Sequence, residues 1–494
     1  IEYYSLLSDI YKKRGDYRRG VEALKEAIKI APDRAFLYGD LGKMLSYMGK
    51  DEEAIKHFKK ASEKDPRDGS YNYEASKIFL QRNDFDKVLI ETRSALEKNY
   101  ESADLYIDAA KSARSLNRLK EAEEFYLKAG EISPNSKELW FQNRIKNDIE
   151  ICQRKVRLDS LPRNLGVCLT NRCNLKCLMC EVRKEDWDIS PERVGEVKEF
   201  FPYIEQVLWQ GGEVFLSEHF LPLFSEASSY EHLSQVVLTS GMLIDRDWAK
   251  LFATSKTEVT FSLESVHREL YEKIRVGASF NKLKENLSLL NESRSRTPDS
   301  ALKINLQMLV MEDNIRELDY LIAFAKDYGA RKIFLIGLDE TINKKNTFYD
   351  NPIYRKELGL ILNKFFAEAA EKSIEVVNSL PISGWEEEGN PKEIEDSVSE
   401  LELLYENKEE DPKEIICLWP WQQLSICSGG NAVINGLCPY LIVGNIDKQA
   451  IREIWNGEKI RGVREALLGE NENNPCCTEL CLSGGLPLGM LRLD

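Results

Sequence analysis

The sequence predicts a multidomain chain: an α-solenoid, then an α/β unit built on a parallel sheet, then a small cysteine-rich domain. Three observations carry this. Residues 1–135 repeat with a period of 34, residues 164–337 alternate short apolar strands with amphipathic helices, and the cysteines fall mainly into two separate groups. At 494 residues the chain has room for two or three domains, each with its own core.

In the first part, Leu7 and Leu41 correspond, as do Gly15 and Gly49, and Ala27, Ala61, Ala95 and Ala129 stand at successive 34-residue steps. Pro32, Pro66 and Pro134 mark repeat ends, and Gly15-Asp16-Tyr17, Gly49-Lys50-Asp51 and Asn83-Asp84-Phe85 supply turns between paired helices. Small residues at fixed steps let two helices approach closely, and proline stops the second one. Residues 137–158 continue as a helix that caps the array. His57 reads as a surface residue, and Cys152, among charged neighbours, as inert. The period and pattern resemble the tetratricopeptide repeat, with units three and four the more divergent. That resemblance implies a solenoid whose inner face receives a peptide or protein; dimerisation or bracing is the plainer use of such an array.

The strand candidates of the second part are Leu165–Leu169, Val207–Gln210, Gln235–Thr239, Glu258–Leu263, Lys303–Val310 and Lys332–Ile336. Helical patterns separate them, so a parallel sheet follows, with chemistry expected at the carboxyl ends of its strands. Directly after the first strand comes the loop with Cys173, Cys177 and Cys180. Three thiolates cover three corners of a cubane iron–sulfur cluster and leave one iron open. Together with Cys168 the same cysteines could hold a structural zinc. Cys168 lies inside the apolar run, however, and reads as a small buried hydrophobe.

Cys173-x3-Cys177-x2-Cys180 resembles the signature of the radical S-adenosylmethionine (SAM) enzymes. Four later stretches resemble further motifs of that family: Gln210-Gly211-Gly212-Glu213, Leu238-Thr239-Ser240-Gly241 with serine in place of the usual asparagine, Ser262-Leu263-Glu264, and Ile274-Arg275 with Ser279-Phe280. The resemblance covers about residues 160–340. It implies a partial (β/α)6 barrel, a SAM-binding 4Fe–4S cluster on Cys173, Cys177 and Cys180, and a 5′-deoxyadenosyl radical that removes a substrate hydrogen. It also implies SAM contacts at Gly211, Gly212, Glu213, Thr239, Ser240, Ser262, Glu264 and Arg275. Glycines would let the backbone approach the amino group of SAM, and a carboxylate would hold that ammonium. His219, His232 and His267 stand at no ligand spacing and read as satisfied loop residues.

Residues 385–414 are rich in glutamate and read as a solvated connector. Beyond them lie Cys417, Cys427, Cys438, Cys476, Cys477 and Cys481. Cys417-Leu-Trp-Pro-Trp, Val443-Gly444-Asn445-Ile446 and Ile454-Trp455-Asn456-Gly457 resemble the SPASM extension of radical SAM enzymes that modify peptides. Six cysteines cannot ligate two complete clusters, so one auxiliary 4Fe–4S cluster is expected, on Cys417, Cys438, Cys477 and Cys481, with Cys476 the alternative to Cys477. Cys427 reads as a spare thiol, and a structural zinc is the competing occupant of this domain.

The expected domains are therefore 1–158, 159–340, 341–415 (connector) and 416–494. A net charge of −15 argues against a nucleic-acid partner, and no apolar run is long enough for a bilayer. An odd count of 11 cysteines, with no signal-peptide pattern, suits a reducing cytoplasm and metal ligation. The chain starts at Ile1 rather than Met, which leaves room for upstream residues. The expected function is that of an oxygen-sensitive SPASM-type radical SAM enzyme modifying a peptide or protein recruited by the repeats, with a flavodoxin or ferredoxin as electron donor. A small-molecule enzyme, such as an amino-sugar dehydrogenase or dehydratase, is the alternative, and a non-catalytic cluster-binding scaffold a third.

Overall fold

A computed structural model of the chain describes residues 1–180, 186–337, 352–380, 417–435 and 441–469. It divides into two compact units, Ile1–Lys155 and Val156–Asp494.

The first unit is four helix pairs and a ninth helix: α1 (Glu2–Lys13) and α2 (Tyr17–Ile30), α3 (Ala35–Tyr47) and α4 (Asp51–Lys64), α5 (Ser70–Gln81) and α6 (Phe85–Glu97), α7 (Ala103–Ser115) and α8 (Leu119–Ile132), then α9 (Leu139–Cys152). Each pair turns on a residue in the left-handed region: Gly15 (φ 72°), Gly49 (φ 71°), Asn83 (φ 57°) and Asn117 (φ 56°), spaced by 34. A side chain at Gly15 or Gly49 would meet open space, so only the backbone conformation selects glycine there, and asparagine, which tolerates it, replaces glycine in the later repeats. Ala27, Ala61, Ala95 and Ala129 are fully buried where helices cross. Gly42 is selected by space instead, since a Cβ there would stand 2.7 Å from the Phe58 ring. Gly42→Val is accordingly expected to cost about 1–3 kcal/mol by overpacking. Gly15→Asn should be close to neutral; thermal unfolding of the two variants checks the contrast. Cys152 is buried, and burial pushes its thiol up to about 12, so it is unreactive. His57 is not a plain surface residue: it is half-buried and stacks on Tyr38 at 6.2 Å between ring centres.

In the second unit the parallel strands are β1 (Asn164–Cys168), β3 (Gln206–Gln210), β4 (Ser234–Thr239), β5 (Thr257–Ser262), β7 (Lys303–Val310), β8 (Lys332–Gly337) and β9 (Glu375–Ser379). A two-stranded ribbon, β2 (Lys176–Cys177) with β6 (Arg275–Val276), stands apart from them. On the far side β1 pairs in parallel with β10 (Gln423–Ile426), which continues antiparallel into β11 (Asn431–Val433) and β12 (Ile442–Asn445). The sheet order is β12-β11-β10-β1-β3-β4-β5-β7-β8-β9, with β12 and β9 outermost among the described residues. The connecting helices are α10 (Pro191–Phe200), α11 (Phe220–Ala227), α12 (Arg246–Ala253), α13 (Arg268–Ile274), α14 (Phe280–Arg296), α15 (Leu318–Asp327) and α16 (Pro352–Glu371).

An ordinary parallel sheet is buried on both faces. Here β3 and β4 alternate: Val207, Trp209, Val237 and Thr239 are buried, whereas Leu208, Gln210, Val236 and Leu238 are half-exposed among the described residues. One face is thus packed and the other remains accessible, as in an incompletely closed barrel.

The sequence pattern ends the α/β unit at 340 and makes 341–415 a connector. Residues 352–380 instead form α16 and β9, and β9 pairs with β8 in register Lys332↔Glu375 to Ile336↔Ser379. Its sequence, EVVNS, is too short and polar to announce a strand alone; the β8 edge supplies the missing reason. The glutamate-rich stretch from 385 onward lies outside the described residues.

The strands from the cysteine-rich end are anchored by Arg464, which is fully buried in the helix Glu458–Leu467 and donates to the carbonyls of Pro420, Val156 and Trp455 at 2.8–3.0 Å. This ties the extension to the start of the α/β unit. No described helix is long and apolar enough to cross a membrane.

Candidate functional site

The site gathers where β1, β3, β4 and β5 end. The loop leaving β1 is locked to the turn after β3: Gly212 N–H donates to Thr170 O at 2.7 Å and Glu213 N–H to Arg172 O at 2.8 Å. A Cβ on Gly212 would stand 2.3 Å from Arg172 O, and one on Gly211 (φ 145°) 2.5 Å from Thr170 O. The two glycines therefore admit the backbone of the cysteine loop itself, which the sequence alone could not show.

Cys173 and Cys177 are half-buried and Cys180 is exposed. Cys177 lies in β2, opposite Arg275 of β6, and the Arg275 guanidinium donates to its sulfur at 3.7 Å. Burial raises the Cys177 thiol, Arg275 lowers it, and negative charge on Glu264, Cys180 or Cys173 raises it again. Among the described residues no three Cys, His, Asp or Glu side chains converge closely enough to hold a single metal ion. A cubane takes each thiolate at a separate corner and does not require such convergence. Three thiols on one short loop, one of them beside a fixed cation, suit it chemically.

Glu213 is buried, only 1% exposed. One of its oxygens accepts from Thr239 Oγ1 at 2.7 Å, the other from Ser240 N–H at 3.1 Å and Ser240 Oγ at 2.6 Å. Burial pushes its carboxyl up, and the Ser240 and Thr239 hydrogen bonds pull it back. A buried carboxylate of this kind has remaining lone pairs and gains from a cationic ligand. Serine at 240 reaches Glu213 both by its backbone and by its hydroxyl.

Glu264 and Arg275 are a buried ion pair: Nη2 donates to Oε1 at 2.9 Å and Nε donates to Oε2. Burial works against the Arg275 charge, but Glu264 and Cys177 hold it above the ordinary guanidinium value. Ser262, at the end of β5, is half-buried. Glu213, Thr239 and Ser240 thus form one hydrogen-bonded group, joined to the cysteine loop by the Gly212 and Glu213 N–H groups, and Glu264, Arg275 and Cys177 a second.

Cys168 is buried and pushed up to about 12 by burial, and its sulfur lies 3.7 Å from Thr170 O. Register places it beside Cys427, one step beyond the Val167↔Ile426 pair. Cys427 is likewise raised by burial, to about 11. Cys417 precedes the short helix α17 (Trp419–Gln422) at the amino end of β10, so it and Cys427 stand at opposite ends of that strand. Cys438, Cys476, Cys477 and Cys481 lie outside the described residues.

Sequence reasoning missed the partners of His267. Its Nδ1 lies 2.9 Å from both oxygens of Glu317, and Glu317 Oε2 also accepts from Ser265 Oγ (2.6 Å) and Val266 N–H (2.8 Å). The cluster ties the loop after β5 to the loop after β7. Fifty residues separate His267 from Glu317, and no local pattern marks the pair.

The chain matches three family models: the radical SAM superfamily over residues 167–325, the iron–sulfur cluster-binding domain SPASM over 417–482, and the tetratricopeptide repeat over 1–34, 37–68 and 103–136. A probable GTP 3′,8-cyclase of Sulfurisphaera tokodaii is 29% identical over 214 residues, 42% of this chain and 65% of that protein. A cysteine-type anaerobic sulfatase-maturating enzyme of Clostridium novyi is 25% identical over 225 residues, 40% of this chain and 56% of that protein. The matched stretch spans less than two thirds of either relative's length. Among solved structures, SuiB of Streptococcus suis is similar in fold, with a TM-score of 0.50 at 14% identity over 77% of this chain and 85% of that one.

Proposed function

We propose that this chain, which carries a radical SAM domain, a SPASM domain and tetratricopeptide repeats, is a radical SAM enzyme that modifies a peptide or protein. The observation that carries the reading is that the three-cysteine loop is held at two places, its backbone by the Gly-Gly-Glu turn and Cys177 by Arg275, which is paired with Glu264.

Cys173, Cys177 and Cys180 would hold a 4Fe–4S cluster with one iron open to SAM, and the SPASM domain an auxiliary cluster through Cys417, Cys438, Cys477 and Cys481. With reductant, such a bound pair supplies a carbon radical able to take a hydrogen atom from an unactivated position. Glu213 would receive the ammonium of SAM, oriented by Thr239 and Ser240. Arg275 holds negative charge at Cys177, and Glu264 keeps that guanidinium in place. Ser262, at the strand end, would offer its hydroxyl to polar groups of SAM. Burial around Glu213 and Glu264 keeps water from these charges, which strengthens each contact.

A peptide or protein substrate is supported by the sulfatase-maturating relative and by a repeat array suited to extended chains. A small-molecule substrate is the second reading, and the GTP 3′,8-cyclase relative favours it. The direct test is anaerobic reconstitution with iron and sulfide, followed by dithionite and SAM. 5′-Deoxyadenosine is the expected product, and none from a fully loaded protein overturns the reading. Glu213→Gln keeps the shape but removes the charge. Its affinity for SAM should fall roughly 10- to 100-fold, the worth of one charged hydrogen bond, measurable by calorimetry.

A further inference from the structure

The C-terminal extension grips the three-cysteine loop on both sides of its cysteines. Asn171, two residues before Cys173, is buried, and its Oδ1 accepts from Ser428 Oγ at 2.8 Å. Its N–H donates to Trp187 O at 2.8 Å, beyond the last cysteine, and the Trp187 indole donates to Asp447 Oδ2 at 3.0 Å. Ser428 opens the turn between β10 and β11, and Asp447 follows β12. These two places are joined, since Asn445 Nδ2 donates to Gly429 O at 2.9 Å and Ile446 N–H to Gly430 O at 2.8 Å. A Cβ on Gly430 would stand 2.9 Å from Asp447 Oδ2. The contacts close a ring that runs from Asn171 through Ser428 and the glycine turn to Asp447 and returns through Trp187.

On its other side Asn171 bears on the Gly-Gly-Glu turn. A Cβ on Gly212 would stand 2.6 Å from Asn171 O, and the next carbonyl, Arg172 O, accepts from Glu213 N–H at 2.8 Å. Among the described residues 171–180 the one regular element is the two-residue strand β2, so the shape of this stretch is imposed by what surrounds it.

We propose that Ser428 and Asp447 are positioning residues for SAM binding, fixing where the cysteine loop stands against Glu213. This rests on reading the loop as a SAM-binding cluster site. The two residues act through Asn171 and Trp187, as outer groups orient the ligands of a metal.

Ser428→Ala deletes the hydroxyl and Ser428→Thr keeps it. After anaerobic reconstitution Ser428→Ala should hold as much iron as the wild type yet bind SAM roughly 2- to 10-fold more weakly, the worth of one hydrogen bond. The measurement is a SAM titration of the reduced protein followed by electron paramagnetic resonance (EPR). Amides 171–180 should also exchange with deuterium faster in Ser428→Ala, read by mass spectrometry. Ser428→Thr should restore both. Wild-type SAM affinity in Ser428→Ala overturns the proposal, and so does an equal loss in Ser428→Thr, which would make side-chain volume the cause. If Ser428→Ala takes up no iron, Asp447→Ala decides at an exposed position. Weaker SAM binding is expected there too, and wild-type affinity overturns the proposal. A wild-type protein that carries its cluster yet binds no SAM would defeat the proposed function. Exchange at 171–180 would then still test the grip on the loop, and unchanged exchange in Ser428→Ala would overturn it.

Discussion

Cys177→Ala is expected to abolish reductive cleavage of SAM and to remove the iron held by the loop, whereas Cys427→Ala should leave both intact. Of the three loop thiols, Cys177 is the one tied into secondary structure, in the β2–β6 ribbon opposite Arg275. Losing it leaves two thiolates, too few to hold a cubane by its corners. Cys427, beside Cys168 at the end of β10, is a half-buried thiol raised by burial and is not one of the three loop thiols. Iron analysis and a 5′-deoxyadenosine assay on the two variants separate the roles. Full activity in Cys177→Ala would contradict the assignment.

The second large effect is on stability. Arg275→Met leaves Glu264 as a buried carboxylate without its cation, which typically costs about 3–5 kcal/mol. Replacing both, as Glu264→Leu with Arg275→Met, removes the uncompensated charge and should recover most of that loss. Denaturant unfolding followed by tryptophan fluorescence checks this. A single variant as stable as the wild type would mean that the pair is not desolvated as the structure shows. The recovered double variant should remain poor at loading iron, because the cation beside Cys177 is gone.

Both predictions depend on contacts that only the folded chain reveals, although the elements bearing them were legible beforehand. Lys303–Val310 is the same strand in pattern and in structure, and the other five expected strands agree within a residue or two. Apolar runs bounded by turn residues mark strands locally, and the 34-residue step marks the helix pairs in the same way. β9 was not legible, because EVVNS becomes a strand only through its pairing with β8. The partners inside the site were hidden too. Glu264 and Arg275 each match a motif that suggests a ligand contact, yet they first satisfy each other. Asn171 in the cysteine loop accepts from Ser428 Oγ at 2.8 Å, across 257 residues of sequence. A motif names the residue types a site needs and is silent on which of them bind one another.

The most direct test of the central claim, that Cys173, Cys177 and Cys180 hold a cluster with one open iron, is the EPR spectrum of the air-free, dithionite-reduced protein before and after SAM is added. A reduced-cluster signal that changes shape on SAM addition, and is missing in Cys177→Ala, is the predicted result. A colourless protein with zinc at these cysteines, or a signal indifferent to SAM, would contradict it.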